Sequence, residues 1–231
     1  MSHGILGLGG LSAAVAATAA QAGGDDEPGD AGATEARLIA ILKSPEASRK
    51  AKADACRQLS VIGSRAAVGP LAELLGDEEL GHMARYALEP IPDPAVDDAL
   101  RGALDKLSGR LLVGVIGSIG VRRDPRAVDA LARRLQDPDS QVVRAAARAL
   151  GRIGTLEAAA ALEKALVEGI TTTPAGDRLA LAEGLLRCAD ALAAKGESGA
   201  AERIYAKLET APVPSYVREA ARRGRSSLAA T

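Results

Sequence analysis

The stretch from Asp137 to Gly154 constrains the fold of this chain more than any other. Asp137 is a helix-capping residue, and Pro138 suits a first helical turn. Val143, Ala146, Leu150 and Ile153 recur at steps of three and four, which places them on one apolar stripe. Gly154 supplies a residue that adopts the left-handed conformation cheaply, so the helix should stop there. Residues 59–63, 88–92 and 116–120 echo the ending at 150–154, with final isoleucines at Ile62, Ile91, Ile119 and Ile153. Recurrence every 28 to 34 residues means stacked units that bury their faces against one another.

Composition decides what the units are made of. The chain has no Phe or Trp and only three Tyr, so Ala, Leu, Val and Ile must build the core. Such small side chains favour close helix packing, whereas sheets draw on aromatic and β-branched residues. An all-α fold is expected. The net charge of −1 hides an uneven distribution: residues 25–100 carry −7 and residues 101–152 carry +6. The ordinary reading of such a basic segment is a solvated surface. Cys56 and Cys188 fall in different units and read as separate small core residues.

Taken in order, residues 1–22 read as a signal peptide. An apolar run from Ile5 to Ala20 precedes Ala20-Gln21-Ala22, a small-x-small cleavage step, although no Lys or Arg comes before the run. Export to the periplasm or cell envelope follows as an expectation. A disordered tail or a weak membrane anchor is the alternative, and the run is too short and Gly-rich for a spanning helix. Residues 23–33 read as a flexible linker. Six helix pairs then follow: 34–42 with 45–62, 66–75 with 77–88, 94–107 with 108–119, 125–135 with 138–153, 155–168 with 177–195, and 199–208 with 214–228. The Asp93-Pro94, Asp124-Pro125 and Asp137-Pro138 steps mark helix starts. A longer loop at 169–176 separates the first four and a half pairs from the C-terminal part, 169–231.

On the residues at 137–154 and the partial copies at 48–63, 77–92 and 108–120, the chain resembles HEAT-like repeat proteins. The repeats are of the short type known from phycobilisome lyases. The run from Tyr86 to Val96 and that from Leu111 to Asp124 resemble a bacterial group of exported HEAT-repeat proteins. The resemblance covers residues 34–168 and implies a right-handed α-solenoid. Residues 200–208, Ala200 to Leu208, resemble a tetratricopeptide-type helix, so the last pair is expected to be of that kind. The resemblance implies a scaffold whose second helices line a concave groove.

With the second helices aligned on their final isoleucines, Arg144 falls beside Arg110 and His82, and Arg148 beside Tyr86 and Gly114. Arg152 falls beside Pro90 and Ser118. His82, Tyr86, Arg110, Arg144, Arg148 and Arg152 are therefore the candidate partner-binding residues. Tyr and Arg commonly anchor interfaces, and a positive groove fits an acidic peptide. The competing reading makes the arginines struts to Asp137, Asp139 and acids of the neighbouring unit. His82 has no His or Cys partner nearby, so no metal site is expected. The Gly114, Gly117 and Gly120 series lacks the strand and Lys of a phosphate loop and reads instead as room for close helix approach. No catalytic constellation or cofactor motif is present. The leading expectation is a non-catalytic scaffold for a protein or peptide. A lyase-like enzyme or accessory subunit is the alternative. Nucleic acid is disfavoured, because stacking platforms beyond Tyr86 are missing.

Overall fold

The computed structural model describes residues 28–168 and 174–229. The expected signal peptide and most of the 169–176 loop lie outside these residues. Twelve α-helices, and no strand, are found among the described residues. They are α1 (Pro28–Lys43), α2 (Arg49–Ile62), α3 (Arg65–Ala72), α4 (Gly81–Leu88), α5 (Pro94–Ala103), α6 (Gly109–Arg122), α7 (Val128–Arg133), α8 (Ser140–Ile153), α9 (Leu156–Glu168), α10 (Ala175–Ala194), α11 (Ser198–Thr210) and α12 (Ser215–Ala229). Short 3-10 turns flank α7 at Pro125–Ala127 and Arg134–Gln136. The helices fall into six consecutive pairs, as the periodicity predicts.

The second helices α2, α4, α6, α8, α10 and α12 each touch the next and form one layer. In the other layer α1 touches α3, α3 touches α5, and α7 touches α9. One continuous core of small aliphatic residues runs between the layers, from Leu38 to Ala221. Both cysteines are buried within it and unbridged. Burial pushes the Cys56 thiol up to about 11 and the Cys188 thiol up to about 12.

Several helix ends differ from the sequence expectation. α1 begins at Pro28, inside the stretch read as a linker. α8 is capped by Asp139, whose side chain accepts from the Gln141 N–H at 2.8 Å. Asp137 instead accepts from the Asp139 N–H at 3.0 Å, so it shapes the turn before the cap. α4 starts only at Gly81, because Asp77 holds the preceding turn through the Glu79 and Leu80 N–H groups, both at 2.8 Å. Gly154 ends α8 in the left-handed region (φ 61°), as expected. Gly120 does not end α6. That helix runs on to Arg122, and Arg123 takes the left-handed cap at φ 55°. The conformation costs a residue bearing a Cβ about 1–2 kcal/mol.

These caps correct the register of the repeats. α6 and α8 are both 14 residues long, with starts and left-handed caps 31 residues apart. Leu88, Ile119 and Leu150 are therefore equivalent, and each is fully buried. Alignment on final isoleucines places α4 and α8 correctly against each other but slides α6 by three residues. Tyr86, Gly117 and Arg148 share one row. His82, Val113 and Arg144 share another. Arg110 is not level with Arg144.

Candidate functional site

The outer surface of the second-helix layer carries the residues singled out in the sequence. α8 shows how they are presented. Its Val142, Val143, Ala145–147, Ala149, Leu150, Gly151 and Ile153 are all buried, so beyond the half-buried Ser140 at its start only the ridge of Gln141, Arg144, Arg148 and Arg152 reaches solvent. A helix enclosed on both flanks by α6 and α10 can expose nothing else.

The ridge arginines divide into two groups. Arg144 is a strut. Its Nε donates to Asp177 Oδ1 at 2.6 Å, and the Ser140 hydroxyl donates to Asp177 Oδ2 at 2.6 Å. Asp177 is buried in the first turn of α10, so its carboxylate requires these donors. Arg110 donates to the Glu78 carbonyl at 2.9 Å and to Glu78 Oε2 at 2.6 Å, which ties α6 back to the turn before α4. That pair is well exposed and contributes little to stability. The side chains of Arg148 and Arg152 form no hydrogen bond or ion pair with any other described residue. The stem of Arg152 passes over Gly120, its Cδ 3.6 Å from where a Cβ would stand.

α4 contributes His82 and Tyr86, both exposed, with Tyr86 at 55% of its full area. Between Tyr86 and Arg148 lies Gly117 of α6, where an added Cβ would touch nothing. The row thus runs from an exposed aromatic residue on α4, past a position of α6 without a side chain, to an exposed arginine on α8. The half-buried Arg85 packs over Gly114 so closely that no Cβ fits there. Burial lowers the Arg85 guanidinium from its usual range; Glu89 opposes that shift and Arg110 adds to it. Of the three α6 glycines, only Gly120 gives the close helix approach expected of all three. Its missing Cβ would lie 2.9 Å from Ala149 Cα.

Arg152 belongs to a second feature that the sequence did not reveal. A cavity of about 640 Å³ lies between the C-terminal ends of α6, α8 and α10. Arg123, Arg152, Arg187, Asp190 and Lys195 line it, over a floor that includes Gly151 and Ala191. Asp190 accepts from the Tyr205 hydroxyl at 2.7 Å, and Lys195 Nζ donates to the Gly154 carbonyl at 2.8 Å. The 31-residue spacing of Asp93-Pro94 and Asp124-Pro125 is the sequence signal that would have set the register and brought Arg123 to this place. At the other edge, a mainly apolar cavity of about 450 Å³ lies among α9, α10 and the α11–α12 turn.

The ladder of paired helices, the 31-residue period and the enclosed second helices are features of a helical repeat array. The family model for HEAT repeats matches residues 108–186, which run from α6 into α10. Residues 108–186 are HEAT-like repeats, and the other described helices continue the same paired arrangement. No curated protein matches it. Among solved structures, a designed armadillo repeat protein is 21% identical at TM-score 0.49, over 83% of this chain and 98% of that one. A second designed armadillo repeat protein, in complex with the peptide (KR)4, is 20% identical at TM-score 0.49 with the same coverage. An engineered protein is 24% identical at TM-score 0.48, over 86% of this chain and 97% of that one. Among the described residues, no three His, Cys, Asp or Glu side chains are grouped to hold a metal ion. No described helix is long and apolar enough to cross a membrane.

Proposed function

We propose that this HEAT-like protein is a non-catalytic scaffold that takes an extended segment of a partner protein across its second-helix layer. The observation that carries the reading is the division among the arginines. Arg122, Arg134 and Arg144 are committed to neighbouring repeats through short bonds. Arg148 and Arg152 have no such bonds, yet they hold the same exposed ridge as Arg144. Two unpaired guanidiniums beside an exposed tyrosine and a position without a side chain serve no evident structural need. They are the residue types that anchor interfaces. Their positive field selects a partner rich in Asp or Glu. His82 stands on the same α4 face as Tyr86 and extends the surface. Arg144 contributes by holding the layer in register, and the exposed Arg110 borders the surface at the start of α6. Nothing on this layer favours the lyase-like alternative. Residues 1–22 carry the further proposal that the scaffold is exported.

The test is a displayed-peptide selection against the wild type, followed by affinity measurement on a Tyr86→Ala, Arg148→Ala double variant. Selected peptides should be acidic and should bind the double variant at least about tenfold more weakly, a loss of about 1.4 kcal/mol. Its melting temperature should stay within about 2 °C, because both side chains are exposed and make no described bonds. A double variant that melts several degrees lower and still binds the peptides would show the residues to be structural.

A further inference from the structure

We propose that the cavity among the C-terminal ends of α6, α8 and α10 is a carboxylate-binding subsite, in which Arg123, Arg152 and Arg187 anchor an acidic peptide. The proposal rests on the scaffold reading above and adds to it a site and a ligand chemistry.

Size is the first argument. About 640 Å³ lies within the range of ligand pockets, and the small residues Gly151 and Ala191 are part of its lining. Charge is the second. The side chains of Arg123, Arg152 and Arg187 make no hydrogen bond or ion pair with any other described residue. The one carboxylate on the lining, Asp190, already accepts from Tyr205 at 2.7 Å. Cations near a helix C-terminus offset its partial negative charge, about half a unit for each end. Lys195 does this directly for α8 by donating to the Gly154 carbonyl at 2.8 Å. Three helix ends and one aspartate still fall short of four full positive charges. The remainder calls for an anion, and planar guanidiniums match a carboxylate's two oxygens.

Backbone conformation is the third argument. Arg123 holds the left-handed cap at φ 55°, where its repeat counterpart is Gly154 at φ 61°. Glycine is the inexpensive residue at such a position. An arginine there makes no described bond that would justify it, yet its side chain lines the cavity. A non-glycine residue held in this region points toward function. A peptide fits better than a nucleic acid, because no aromatic side chain lines the cavity to stack a base.

The experiment is fluorescence anisotropy with three labelled probes. One is a glutamate-containing peptide capped at both ends. The second is an alanine–serine peptide with a free C-terminal carboxylate. The third is a short oligothymidylate. Wild type should bind one of the peptides, and which one binds identifies the carboxylate as a side chain or a chain end. Arg123→Gly and Arg187→Ala should each weaken that binding at least about tenfold. Arg123→Gly should also hold or raise the melting temperature, because glycine relieves the cap. That combination separates a binding arginine from a structural one. The proposal is overturned if Arg123→Gly leaves affinity unchanged or lowers the melting temperature. It is equally overturned if the oligonucleotide binds more tightly than either peptide, or if neither peptide binds at concentrations up to about 1 mM. Loss of peptide binding in the Tyr86→Ala, Arg148→Ala variant, with Arg123→Gly unaffected, would remove the cavity and leave the scaffold reading intact.

Discussion

The seam between α6 and its upstream neighbours and the seam between α8 and α10 solve one problem by different means. Each must stop adjacent repeats from sliding. Upstream, arginines reach back. Arg122 donates to Asp97 and to the carbonyls of Glu89, Ile91 and Asp93, at 2.5 to 3.2 Å. One repeat further on, Arg134 of the turn after α7 reaches back in the same way, to the Leu104 carbonyl and to Asp105, both at 2.8 Å. Downstream the direction of charge reverses. A buried acid on α10, Asp177, draws Arg144 and Ser140 of α8 forward. The helices there also approach backbone to backbone. A Cβ on Gly184 would stand 2.6 Å from the Ala147 carbonyl oxygen, and one on Gly151 would stand 2.8 Å from that of Gly184. Polar struts tolerate small shifts in spacing, whereas glycine contacts fix the distance of approach. The buried Leu88, Ile119 and Leu150 step by 31 residues across α4, α6 and α8, where the arginine struts are, and the 20-residue α10 beyond the glycine seam is longer.

Leu150→Asp should have the largest effect on this contrast, because Leu150 is fully buried in α8, the helix that packs on both α6 and α10 and so joins the two regions. An unpaired charge there should destabilise by about 4 kcal/mol and lower protection from hydrogen exchange on both sides of α8. A variant that melts like the wild type would refute the stripe. Gly184→Val comes next, at about 3 kcal/mol, because the obstructing atoms are backbone and cannot rotate away. Its exchange should rise in α10 to α12 while α4 to α6 stay protected, since neighbouring units interact in sequence along a solenoid. Uniform exposure of the whole chain would mean that the seams are not independent. Arg122→Ala should cost about 2 kcal/mol, through lost charge-assisted bonds around a side chain that is 12% exposed. Its exchange should rise upstream of α6 and leave α10 unchanged. A downstream response would break the comparison.

The helix pairs were legible in the sequence because aliphatic periodicity and Asp-Pro steps report directly on local structure. The α8 stripe and its Gly154 stop are the clearest case. The register of α6 was not legible from its ending. Ile116-Gly117 and Ile119-Gly120 both match the opening Leu150-Gly151 of the echo, and only the placement three residues too early also matches its closing Ile-Gly. What decides between them is the left-handed cap, and that fell to Arg123, a residue type that does not advertise it. The site was legible only in part. Tyr86 and Arg148 share a row in both alignments, because the error in α6 cancels across two steps. The partner of Arg144 was not legible as a specific residue. Asp177 lies beyond the long loop and looks in sequence like an ordinary first-turn acid. Arg187 and Lys195 carry no motif at all, and only the stacking of α8 on α10 brings them to Arg123.

The equal steps from α4 to α6 to α8 give the surface a built-in ruler. Helices packed side by side stand about 8–10 Å apart, so Tyr86 and Arg148 mark an interval of about 16–20 Å. An extended chain advances about 3.3 Å per residue, so that interval corresponds to five or six residues of ligand. Side chains on an extended strand alternate between faces, so a spacing of six keeps two anchors on one side, whereas a spacing of five turns one of them away. The arithmetic of the repeat therefore sets the grammar of any segment laid straight across it: a hydrophobic or ring-stacking residue at one position and an acid six places on.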